Sequence, residues 1–155
     1  MIFAIIFFVL LASFVEAKAK KVFHIQREDN SFIDYYILKY SERTASDTLL
    51  LILQGSSCNN VIHKKKMKEV ALAWPKADIL LVEKYGIGAE LLQQKGAERK
   101  SCPAAFLEMD SPEQRVSDIL QVLSKVSVLT EYKNYLMIVG SEGAVVSNMS
   151  LLALV

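Results

Sequence analysis

Residues 135–144 read Tyr-Leu-Met-Ile-Val-Gly-Ser-Glu-Gly-Ala, and the fold of the chain turns on how they are read. Leu136–Val139 is an apolar run of strand length, Gly140 and Gly143 frame Ser141, and residues 144–154 form an apolar stretch of helical length. A strand that bends sharply into a helix holds a serine hydroxyl clear of the backbone, where a base can reach it. Without that presentation a serine is a poor nucleophile. The stretch therefore has the pattern of a nucleophile elbow with Ser141 at its tip, and Gly140 and Gly143 are expected to permit the strained turn. The plainer alternative is a tight strand-to-helix turn with no chemistry, because Gly-Ser-x-Gly alone occurs in unrelated turns.

Upstream segments supply the context. Thr48–Leu53 is a continuous apolar run, as expected of a strand covered on both faces, and it ends in Gln54-Gly55-Ser56-Ser57. Ala77–Glu83 reads as a second such strand. Val22–Arg27 and Ile33–Tyr40 form a predicted hairpin joined by Asp29-Asn30-Ser31. Met67, Val70, Ala71 and Trp74 share one face of a predicted helix closed by Pro75, with His63 and the lysines at 64, 65, 66 and 68 on its solvated side. Between Lys84 and Cys102 lies a polar, glycine-bearing connection with a short helix expected near residues 90–94. In Ser111-Pro112-Glu113-Gln114, Ser111 can cap a helix, Pro112 suits its first position and Gln114 can reach back to the cap. Val116, Ile119, Leu120, Leu123 and Val126 then mark a buried stripe. A hairpin followed by alternating strands and helices predicts an α/β sheet, parallel after its first strands, with a site at the C-terminal ends of those strands.

Composition sets the remaining bounds. With 155 residues, 52% of them apolar, one folded domain is expected, and a net charge of +1 gives no case for nucleic acid. Residues 2–15 form an uncharged apolar run too short for a comfortable membrane span, followed by Val15-Glu16-Ala17, which fits a small-residue cleavage site. Residues 1–17 are read as a signal peptide and residues 18–155 as the mature domain, exported to the periplasm or secreted. Retention of the segment as a membrane anchor is the alternative, since no Lys or Arg precedes the apolar core. Export makes Cys58 and Cys102 an even pair in an oxidising compartment, which favours a disulfide over two separate thiols. A catalytic Cys58 with nearby His63 has no support from spacing alone. Nothing argues for a metal or an organic cofactor.

The order of hairpin, buried strand, Gln54–Ser57 loop, helix, strand, long connection, helix, strand, Gly140-Ser141-Glu142-Gly143 and helix resembles the first half of the α/β-hydrolase fold, over residues 22–155. The resemblance implies a serine hydrolase acting on ester, amide or peptide bonds of a small-molecule or peptide substrate. Ser141 is then the nucleophile. The Glu142 backbone N–H is one oxyanion donor and the Ser56 backbone N–H the other, with Ser57 as second choice for the latter. Two departures stand out. Val139 occupies the position two before the serine where the family usually has glycine, and the family's acid and histidine follow the nucleophile, whereas both histidines here, His24 and His63, precede it. The resemblance thus implies an α/β sheet truncated just after the elbow, with little or no activity in this chain. Its last strand would present an open apolar edge where another polypeptide, or a second copy, associates. The competing expectation is a non-catalytic secreted or periplasmic scaffold that binds a partner along that edge.

His24 is expected to be structural and His63 an exposed residue of the basic helix. Tyr35, Tyr36 and Tyr40 are expected to pack on the sheet. Asn148-Met149-Ser150 matches a glycosylation acceptor but falls inside the helix after the elbow, where a glycan fits poorly.

Overall fold

The computed structural model describes residues 21–39, 46–63, 69, 73–74, 76–89 and 101–153. The segment read as a signal peptide, Tyr40, residues 64–68, Val70, Ala71, Pro75 and the helix expected near residues 90–94 lie outside the described residues.

Among the described residues five strands form one sheet: β1 (Phe23–Gln26), β2 (Phe32–Leu38), β3 (Thr48–Leu53), β4 (Asp78–Val82) and β5 (Asn134–Val139), in the spatial order β1-β2-β4-β3-β5. The hairpin is antiparallel, with Phe23 opposite Tyr35, and β2 is antiparallel to β4. Strands β4, β3 and β5 run parallel. The two fully apolar runs, β3 and β4, occupy the interior of the sheet and are buried on both faces, which is why they show no alternation.

Three α-helices lie wholly among the described residues. The first, α1 (Ala104–Met109), is short; α2 (Pro112–Leu129) starts at the expected cap, where Ser111 Oγ accepts a bond from the Gln114 N–H at 3.1 Å; and α3 (Glu142–Ala153) follows the serine. Gln114 does not reach back to the cap; its side chain donates to Asp118 Oδ1 instead. The packing stripe of α2 is Ile119, Val122 and Val126, with Val116 and Leu123 at its margin. Leu49, Leu51 and Leu53 on β3 pack against that stripe and against Val146 of α3. On the other face Leu50 and Ile52 meet Tyr36, Val61, Ile62 and Leu81. Tyr35 and Tyr36 are both buried, one in each cluster, as successive residues of a strand must be. Trp74, expected on a buried helix face, is 41% exposed and accepts a bond at its carbonyl from the Ala77 N–H in a turn.

Strand β5 is the last in the sheet order, and it is far more exposed than β3 or β4, with Tyr135, Leu136 and Val139 open to solvent. Among the described residues no helix is long and apolar enough to cross a membrane.

Candidate active site

The C-terminal ends of β3, β4 and β5 lie on one edge of the sheet, and the loops that leave them meet there. Ser141 is exposed and has φ 55°, one of two non-glycine residues among those described with positive φ. That conformation costs free energy for an L-residue, so the strain of the bend sits on the serine itself. It is not carried by the flanking glycines, neither of which has a positive φ. The turn is closed by the Gly143 N–H donating to Gly140 O at 3.0 Å and the Ala144 N–H donating to Ser141 O at 2.9 Å. Glu142 begins α3, so its N–H is a first-turn donor with no partner inside the helix.

Two close approaches need glycine. A methyl group on Gly55 would stand 3.0 Å from Ser141 Cβ and 3.4 Å from Ser141 Oγ. One on Gly143 would stand 2.9 Å from the Leu53 carbonyl oxygen and 3.1 Å from that of Gln54. The first contact puts the serine against the loop that leaves β3, and the second seats α3 on the end of that strand. Gly140 meets nothing within 4 Å, so neither close contact nor positive φ demands glycine there.

A layer of buried charge underlies these loops. Arg115, on the first turn of α2, donates to the Gln54 carbonyl at 2.7 Å and to Glu142 Oε2 at 2.8 Å, so one guanidinium ties the β3 loop to the serine turn. Lys84 Nζ, which follows β4, lies 3.5 Å from the same Glu142 oxygen and 3.8 Å from Asp110 Oδ2. Burial, reinforced by Arg115, pushes the Lys84 ammonium down to about 8 despite the two carboxylates. Burial likewise pushes the Asp110 carboxyl up, against the pull of Lys84 and Arg115. Further along the edge, Arg27 holds Asp118 through two bonds of 2.8 and 2.7 Å between buried side chains. Glu83 accepts the Val61 N–H at both oxygens, and burial, more than these bonds can offset, pushes its carboxyl up to about 8. Sequence reading missed this layer. Its one local signal is Arg115 and Asp118 falling at helical spacing beside Ile119, Val122 and Val126.

Ser56 and Ser57 lie on the wall of a cleft of about 350 Å3 that also includes Glu142, Asp110, Phe106 and the disulfide. Cys58 and Cys102 are bonded, with Cα atoms 5.7 Å apart, and they pack with Ile87 and Phe106. The bridge joins the loop after β3 to the segment leading into α1. Ser141 and the Gln54–Ser57 loop are therefore brought together, with Glu142 beside them.

Neither histidine is placed at the serine turn by the described residues. His24 is on β1, four strand positions from β5 in the sheet order and hence about 19 Å away across it. Its Nδ1 is 2.7 Å from Asp34 Oδ1. His63 ends a 3₁₀ turn, Val61–His63, and its side chain is outside the described set. Asn148 lies within α3, where Ser150 is buried and donates to the Val146 carbonyl.

No protein-family profile matches the sequence, and no curated protein is detectably similar to it in sequence. Solved structures are similar in fold. A serine hydrolase without a lid from Xanthomonas campestris superposes with a TM-score of 0.63 at 14% identity, covering 88% of this chain and 57% of that one. An α/β serine hydrolase homologue from Coxiella burnetii gives 0.57 at 14% identity, covering 83% and 55%, and a fungal esterase from Rhizomucor miehei gives 0.54 at 13%, covering 88% and 41%. The fold is thus that of the α/β hydrolases, a class that includes serine hydrolases and esterases. This chain spans little more than half the length of the first two of those structures.

Proposed function

We propose that the chain carries the serine-bearing part of an exported α/β-type serine hydrolase acting on ester, amide or peptide bonds of a small-molecule or peptide substrate. Ser141 Oγ adds to the carbonyl carbon and the carbonyl π pair moves onto oxygen. The N–H groups of Glu142 and Ser56, with Ser57 as the alternative to Ser56, hold the resulting oxyanion. Collapse expels the alcohol or amine, which takes up the proton lost by the serine hydroxyl, and leaves an acyl-serine that water hydrolyses to the acid and free serine. The hydroxyl proton needs a base, and none of the residues from Gly143 to Val155 is a histidine or an acid. Glu142 is engaged by Arg115 and Lys84, and His24 by Asp34. The acid and histidine of a triad would come from further polypeptide, and by itself the chain supports stoichiometric reaction with little or no turnover.

The observation that carries this proposal is the positive φ of Ser141 directly against Gly55. Export is supported by the Cys58–Cys102 disulfide and by the apolar residues 2–15 ahead of Ala17. Retention of that segment would instead anchor the protein to a membrane. The test is labelling with an alkyl fluorophosphonate followed by peptide mapping. The expected result is slow modification of Ser141 that is lost in Ser141→Ala. Label appearing elsewhere, or equally in the variant, would refute the role of Ser141.

A second reading is favoured by the exposed apolar residues of β5 at the end of the sheet. On it the protein is a non-catalytic scaffold that associates along that strand. It predicts concentration-dependent association abolished by a lysine at Leu136, together with an unreactive Ser141.

A further inference from the structure

The serine turn and the loop after β3 meet at the Gln54–Gly55 peptide. The Gln54 carbonyl accepts from Arg115 Nη2 at 2.7 Å, a methyl on Gly143 would stand 3.1 Å from the same oxygen, and Gly55 lies against Ser141. The side-chain amide of Gln54 is buried and, among the described residues, has no hydrogen-bond partner at either atom, so no bond from it fixes the loop. Arg115 supplies one instead. Its other terminal nitrogen, Nη1, donates to Glu142 Oε2 at 2.8 Å. Charge balance alone does not account for this arrangement, because Lys84 Nζ already lies 3.5 Å from that oxygen and Asp110 provides a second carboxylate for the two cations. What Arg115 adds is a bond to a neutral carbonyl of the neighbouring loop. Its own base is fixed: the Arg115 N–H donates to the Ser111 carbonyl at 3.0 Å, its side chain is 6% exposed, and Asp118 and Ile119 hold the next turn of α2 to Arg27 and to the core. A guanidinium is planar, so acceptors bonded to its two ends are held at one spacing, which an ammonium on a flexible stem does not impose.

We propose that Arg115 is a positioning residue for the oxyanion hole: its fork, bonded to Gln54 on one side and Glu142 on the other, sets the distance between the two loops that carry the Ser56 and Glu142 N–H groups. The proposal rests on Ser141 as the nucleophile. Two donors stabilise the tetrahedral oxygen only when both point at the place where its charge develops, and that demand is greater in the transition state than on binding. Arg115 touches neither the substrate nor the reacting atoms. Its loss therefore slows acylation of Ser141 and leaves the capture of the acyl group largely as it was.

The test compares the full chain with Arg115→Met, Arg115→Lys and Val122→Ala, the last removing core volume beneath the same helix two turns further on. In both Arg115 variants the saturating rate of Ser141 labelling by an alkyl fluorophosphonate should fall about tenfold or more, with the half-saturating concentration within about twofold of the parent. Arg115→Lys keeps the charge but not the fork, so it should fall with Arg115→Met; it also carries the test if Arg115→Met does not fold. In the 15N,13C-labelled variants the NOE between Gly55 Hα and Ser141 Hβ should weaken or vanish and the Ser56 amide should shift. Val122→Ala should lower Tm and leave both readouts unchanged, which a merely structural role for Arg115 does not predict. A parental labelling rate in either Arg115 variant, a loss carried by the half-saturating concentration, an equal loss in Val122→Ala, or an unchanged NOE would each overturn the proposal. If the parent itself takes no label, the nucleophile falls, and the NOE and amide comparison still decides whether Arg115 fixes the two loops.

Discussion

Replacing Gly143 by alanine should loosen the serine turn from the sheet, and the structure sets the size of the effect. The new methyl would lie 2.9 Å from the Leu53 carbonyl oxygen and 3.1 Å from that of Gln54. Both are backbone atoms at the end of the central strand, unable to rotate aside, so α3 must lift by several tenths of an ångström. Overpacking of this kind costs about 1–3 kcal/mol, and the better helix propensity of alanine returns somewhat under 1 kcal/mol. A net loss of about 1–2 kcal/mol should lower Tm by about 2–8 °C in a chain of this size, measured by thermal unfolding with circular dichroism. The movement also separates Ser141 from Gly55, so the rate of phosphonate labelling should fall by about tenfold or more. Gly140→Ala is the control, because a methyl there meets nothing within 4 Å. It should change Tm by no more than a degree or two. If Gly143→Ala matches Gly140→Ala in both Tm and labelling rate, the seating of α3 on β3 described above is wrong.

The disulfide closes a 44-residue separation, so reduction or a double Cys→Ala replacement should cost about 4 kcal/mol, seen as a Tm loss of roughly 8–16 °C; a loss below about 2 °C would refute that contribution. Burial holds Glu83 protonated up to about 8 in the folded state, whereas the unfolded chain releases that proton near 4.5. The stability this provides is whole below pH 4.5 and is lost as pH rises through 8, by on the order of 1 kcal/mol per pH unit. Urea unfolding across that window should show a slope that Glu83→Gln flattens, and an unchanged slope would refute it. Asp118→Leu strands the buried Arg27 charge and should cost about 3–5 kcal/mol, while Arg27→Met with Asp118→Leu should recover most of it. A double variant no more stable than the single one would show that the pair matters for more than its charge.

Much of the sheet was legible because its decisive runs are short and compositionally extreme. Thr48–Leu53 has the bounds of β3 in the structure, and Asp78–Val82 lies one residue inside the expected strand at each end. The α2 cap was legible because Ser111 and Pro112 act within one turn. The bend at Ser141 was legible as a pattern but not in its mechanics. Glycines mark such turns, yet here the serine takes the positive φ and Gly143 serves close packing. The charged layer was not legible, because hydropathy assigns Arg and Asp to the surface and the pair Arg27–Asp118 spans 91 residues. The exposed edge at Leu136 and Val139 was expected only through the resemblance, since periodicity reads a strand covered on both faces and an apolar edge strand alike.

The contact between Gly55 and Ser141 can be read directly in solution from a NOE spectrum of the labelled chain. With the serine bent against the loop after β3, a cross-peak should connect a Gly55 Hα with the Ser141 Hβ protons, because a methyl carbon in the place of that Hα would stand 3.0 Å from Ser141 Cβ. Assigned resonances for both residues with no cross-peak between them would contradict the elbow and the hydrolase proposal built on it.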